Sequence, residues 1–118
     1  MSQIKFNYDK EADVLYIAFE RSDHVTGVEI GDHLILRLDT GRATGQPPRA
    51  VGLTVLSPAH LLSIGHMPTV PLYWISRLKP DLRLAVLEVL SQPPLCDLLN
   101  PQLTLLPESP TLAELVAA

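Results

Sequence analysis

Val25-Thr26-Gly27-Val28-Glu29-Ile30-Gly31-Asp32-His33-Leu34-Ile35-Leu36-Arg37-Leu38-Asp39 carries the clearest strand pattern in the chain. Apolar residues recur at every second position on both sides of a Gly-Asp-His centre, which is the period of strands with one buried face. A three-residue loop, Gly31-Asp32-His33, sets Ile30 opposite Leu34, Val28 opposite Leu36 and Thr26 opposite Leu38, with the apolar set on one side. A two-residue loop would instead pair Glu29 with Leu34, so the pattern favours the three-residue loop. Gly31 is then one candidate for the φ > 0 residue that such loops need. In this register Glu29 and Arg37 both leave the apolar face and point to the second one.

Working outward, Val14-Leu15-Tyr16-Ile17-Ala18-Phe19 is a β-rich run. It is preceded by Ile4-Lys5-Phe6-Asn7-Tyr8 across the turn Asp9-Lys10-Glu11-Ala12-Asp13, which predicts a first hairpin. Beyond Asp39, the loop from Thr40 to Arg49 holds Gly41, Gly45, Pro47 and Pro48, which bar regular structure, and a fifth strand follows from Ala50 to Leu56. These segments predict an α+β fold, a five-stranded antiparallel β-meander followed by short helices. Ser57-Pro58 reads as N-cap and first helical position of a short helix, Ala59 to Ile64, stopped by Gly65. A longer helix starts at Pro80, with Leu82, Ala85, Val86, Val89 and Leu90 at helical spacing and Asp81, Arg83 and Glu88 left for solvent. Leu84 and Leu87 widen that stripe, and Pro93-Pro94 ends the helix. Leu95 to Leu99 reads as a further turn, and Ser109-Pro110 as the cap of a last helix through Leu112, Leu115 and Val116.

The 118 residues suffice for one core and not for two, so the expectation is a single domain, residues 1–118. Residues 1–57 form its sheet, and residues 58–118 form a helical, proline-rich half that packs on the sheet or on a second subunit. The first sixty residues hold 14 of the 22 charged residues and three of the 11 prolines, whereas the remainder holds 16 of the 22 leucines. That surplus of leucine predicts a homo-oligomer, a dimer first. A formal charge of -4 supplies no global positive field, which argues against a nucleic-acid partner. Met1 to Lys5 lacks the basic-then-apolar run of a signal peptide, and the single Cys96 cannot close an internal disulfide, so a cytoplasmic setting is expected. Residues 50–76 contain no Asp, Glu, Lys or Arg, but Pro58, Pro68, Pro71 and Gly65 interrupt them, which reads as strand and turns and not as a membrane span.

Tyr8-Asp9-Lys10-Glu11-Ala12-Asp13-Val14-Leu15-Tyr16-Ile17 combines with Val28-Glu29-Ile30, Leu34 to Asp39, Gly41-Arg42 and Val51-Gly52-Leu53. Together they resemble a bacterial family of small proteins known as domain of unknown function 2283, over residues 4–57. The loop after Gly41-Arg42 is longer than the family pattern, Thr54 stands where many members carry an acidic residue, and residues past 60 have no counterpart in it. The resemblance implies a small β-meander with a following helix and no established activity. Some relatives sit near toxin-like genes, so it also implies, by association alone, an antitoxin-like or regulatory role.

Three groups of residues are candidates for chemistry. Asp9, Glu11, Asp13 and Asp32 fall at one end of the sheet, where carboxylates suit a hard cation or a basic partner, or serve as turn residues bonding their own backbone. Arg21, Arg42 and Arg49 fall in loops at the other end, where guanidinium forks suit an anion or a protein partner. Tyr16, Glu29, Arg37 and His60 are candidates to line a pocket between sheet and helices. No spacing of His, Cys or carboxylate residues matches a zinc site, no nucleophile has a base beside it in a known motif, and no metal or cofactor is expected. The sequence thus leans away from an enzyme and toward a protein-interaction module, with a small-ligand or anion-binding protein or an enzyme as the alternative.

Overall fold

The computed structural model of the chain describes residues 4–65, 72–93 and 95. Five strands form one antiparallel sheet: β1 (Lys5–Asp9), β2 (Val14–Ala18), β3 (Thr26–Gly31), β4 (Leu34–Asp39) and β5 (Arg49–Leu56). Three short helices follow: α1 (Pro58–Ser63), α2 (Leu72–Ser76) and α3 (Pro80–Leu90). The α+β class and the run of five strands followed by helices are as the sequence predicts. Within the sheet the order is β1-β2-β5-β4-β3. The β1-β2 hairpin and the β3-β4-β5 meander are each made of chain neighbours, and they join through β5, the central strand, so that β2 does not touch β3.

Alternation explains the two faces. Leu15 and Ile17 of β2, Val28 and Ile30 of β3, Leu34, Leu36 and Leu38 of β4, and Leu53 and Val55 of β5 all point to one side and are buried. Full burial of each leucine stabilises the fold by roughly 2 kcal/mol. Ile75 of α2 and Val86, Val89 and Leu90 of α3 close this core from above, with Leu95 beside them. Leu82 and Ala85 are half-buried at its margin, while Leu84 and Leu87 face solvent. The helical stripe read from Pro80 onward therefore forms, and α2 lies against β3 while α3 lies against β5. Arg77 stacks its guanidinium 5.9 Å from the Trp74 ring centre at the end of α2. No helix among the described residues is long and apolar enough to cross a membrane.

Two bulges set the registers. Thr26 pairs with Leu38 and Val28 with Leu36, as the three-residue loop requires, but Gly31 then pairs with Leu34 and Ile30 is left as the extra residue. The turn is thus Asp32-His33 alone, and Gly31 is not among the residues with positive φ. The bulge absorbs the one-residue difference and keeps Val28 and Ile30 both in the core. In the second bulge Arg37 pairs with Gly52 and Leu38 with Ala50, so Val51 is the extra residue of β5. Its carbonyl accepts the N–H groups of both Phe19 (2.9 Å) and Glu20 (3.3 Å), which ties the start of the β2–β3 connection to the centre of the sheet.

Ser57 and Pro58 occupy the N-cap and first position of α1, as the sequence predicts, but the Ser57 side chain makes no capping bond. Ser57 adopts φ 56°, and the capping oxygens come from Asp13, in the β1-β2 turn. Of the turn expected from Leu95 to Leu99 only Leu95 is described, and the rest of it, Cys96 included, lies outside the described residues, as does the helix expected after Ser109-Pro110.

Candidate functional site

Because every strand pair is antiparallel, the connections collect at two ends of the sheet, and the polar groups collect with them. At one end Asp13 joins three segments. Its carboxylate accepts the Tyr8 hydroxyl (2.8 Å) and the backbone N–H groups of Ala59 (3.0 Å) and His60 (3.2 Å), and its own carbonyl accepts Ser57 N–H (2.8 Å). Desolvation pushes the Asp13 carboxyl up, and the hydrogen bonds from Tyr8, Ala59 and His60, with the His60 charge, outweigh it and hold the group below the usual carboxylate range. The same bond, with lesser help from desolvation and the Asp13 and Asp9 charges, raises the Tyr8 hydroxyl. Asp9 accepts Ala12 N–H within its own turn, and Glu11 and Asp32 are exposed in the two turns. His33 lies next to them with Nδ1 3.2 Å from the Leu56 carbonyl. Asp9 and Asp13 therefore serve as turn and capping groups, and among the described residues no three metal-ligating side chains converge.

At the other end Asp39, 3% exposed, is the hub. It accepts the Ser22 hydroxyl (2.7 Å), Gly41 N–H (2.9 Å) and the Arg49 guanidinium (3.2 Å). Ser22 hydroxyl and Gly41 N–H lower its pKa most; desolvation opposes them, and Arg49 adds to the lowering. Arg49 also reaches Glu20 at 3.1 Å, and Arg42 pairs with Asp81 of α3. Two of the three candidate arginines, Arg42 in its loop and Arg49 at the start of β5, are thus engaged in ion pairs. Arg21 is not: among the described residues it has no ion pair.

Arg21 lies instead on the sheet face turned away from the helices. Across that face runs a row of paired residues, Asn7, Tyr16, Thr54, Ile35 and Glu29, one from each strand. Beside it runs a second row, Lys5, Ala18, Gly52, Arg37 and Gly27. Small residues in the second row leave a trough of about 390 Å³, lined by Tyr16, Ala18, Arg21, Asp23, Arg37 and Gly52 among others. A Cβ on Gly52 would sit 2.7 Å from the Ile17 carbonyl oxygen, so the close approach of β2 and β5 here requires glycine, which also keeps the floor of the trough low.

The pocket anticipated between sheet and helices does not assemble from its four residues. Tyr16 and Arg37 share the trough on the opposite face, joined by Arg21, and no helix residue lines it. Glu29 borders a separate depression with Trp74 and Arg77 at the β3 edge, and His60 is on α1 at the Asp13 end. Strand order is the reason: with β5 central, the connection after β2 must cross the ends of β5 and β4, and it carries Arg21 onto the open face.

Residues 5–45 match the family described as "Protein of unknown function (DUF2283)", a shorter span than the 4–57 over which the motifs were read. No curated protein and no solved structure matches the chain.

Proposed function

We propose that the protein, whose residues 5–45 match that family of unknown function, is a homo-oligomeric interaction module that works by binding and not by turnover. The observation that supports the reading is on α3. Val86, Val89 and Leu90 fill the core, while Leu84 and Leu87, three residues apart on the outer side, remain 69% and 43% exposed. Two leucines so spaced form a short apolar stripe that meets its own copy across a two-fold axis, and a dimer through α3 leaves the sheet face open for a further partner. An antitoxin-like or regulatory role is the finer form of this reading. It rests on the family's association with toxin-like genes, and its test is direct titration against the neighbouring gene's product.

Sedimentation equilibrium at micromolar concentration tests the oligomer. We expect a dimer for the unaltered chain and a monomer, folded by circular dichroism, for the double variant Leu84→Gln, Leu87→Gln. A monomeric unaltered chain overturns the proposal.

A further inference from the structure

The trough on the open face has three properties of a built site. Its cations are unspent: Arg21 and Arg37 line the same space, and among the described residues neither forms an ion pair, whereas Glu20 on the same wall is held by Arg49 at 3.1 Å. Its wall is fixed in advance. Val51 carbonyl accepts Phe19 and Glu20 N–H, the Ser22 hydroxyl donates to the buried Asp39 carboxylate at 2.7 Å, and Ser22 Oγ accepts His24 N–H at 3.1 Å. Arg21 therefore stands on a loop clamped on both sides and does not have to be ordered by a ligand, which lowers the entropic cost of binding. Its size, about 390 Å³, suits a metabolite.

We propose that this trough binds a small molecule bearing an oxyanion, with Arg21 and Arg37 gripping the anionic group and Tyr16 and Thr54 flanking it. Guanidinium forks match the planar or tetrahedral oxygen arrays of carboxylate and phosphate. Asp23, exposed on the same rim, adds one carboxylate, so a ligand that carries a hydroxyl or amino donor next to its oxyanion meets both signs. The site is independent of the α3 stripe, and binding here is expected whether the protein is a monomer or a dimer.

Isothermal titration of the full chain at low ionic strength, with citrate and separately with inorganic phosphate, tests the proposal. Saturable binding of at least one probe is expected. Arg21→Gln and Arg37→Gln should each weaken it at least about tenfold, as loss of a charge-assisted hydrogen bond does. Arg83→Gln, on the far side of the sheet, should leave it unchanged. Tighter binding of citrate assigns a carboxylate ligand, and tighter binding of phosphate a phosphorylated one. Since both arginines lie at the surface, thermal melts of the variants should match the parent. No saturable binding of either probe, or equal affinity in all three variants, overturns the site.

Discussion

Replacing Asp13 with glycine removes a helix cap that is supplied from 46 residues away. Glycine is the right probe because Asp13 sits at φ 54°, where alanine would add backbone strain of its own. The carboxylate meets two otherwise unpaired N–H groups of the first turn of α1, at 3.0 and 3.2 Å, and loss of such a cap costs about 1 kcal/mol. Unfolding entropy of about 2 cal/mol/K per residue, over the 85 described residues, converts that into a fall in Tm of about 6 °C. The pH dependence carries the signature. A carboxyl held below its ordinary value stabilises the fold above about pH 4, and this contribution is lost as pH falls through the lower, folded-state value. The difference in Tm between the parent and Asp13→Gly should be full at pH 7 and shrink toward zero in acid. Ser57→Ala, by contrast, should change Tm little at any pH, since that hydroxyl caps nothing. A larger loss for Ser57→Ala than for Asp13→Gly, or a gap that does not narrow as pH falls below the ordinary carboxylate range, would refute the reasoning.

Two further substitutions probe the other end of the sheet. Asp39→Ala should destabilise the protein at neutral pH and speed amide exchange in residues 19–25. The effect should narrow in acid, because the contribution of a carboxyl depressed by Ser22 and Gly41 donors is full above the ordinary carboxylate pKa and is lost as pH falls through the lower, folded-state value. Gly41→Ala places a methyl group on the Gln46 carbonyl at φ 80°, whereas Gly45→Ala, at φ 69°, meets open space. Urea denaturation should show the second costing about 1 kcal/mol of backbone strain and the first clearly more.

What the sequence reveals and what it hides follow from the range of each interaction. Alternation in Val28 to Leu38 fixes which side chains enter the core, because a strand's face is decided by position alone. It says nothing about which strand lies next to which, since β2 would bury Leu15 and Ile17 equally well beside β3 or β5. The order β1-β2-β5-β4-β3 was illegible for that reason, and with it the meeting of Arg21 and Arg37. The Asp32-His33 turn shows a subtler limit: the pairing of Val28 with Leu36 was readable, but a bulge at Ile30 reaches it with a shorter loop than the spacing implies. Asp13 and α1 are too far apart in the chain for the cap to be read. The available hint was that Ser57 stands before Pro58 with no acidic residue in the first turn, a helix start that lacks a local anion.

The central place of β5 bears on how the molecule comes into being. Residues 5–45, the part that matches the family model, contain β1 to β4, which is two hairpins with no hydrogen bond between them. Two-stranded hairpins are marginal in water, so during synthesis neither half is expected to persist until residues 49–56 emerge from the ribosome. That single segment then makes ladder bonds on both its edges, to β2 and to β4. Assembly is accordingly concerted, and the rate at which the protein appears as a folded species should track the arrival of β5.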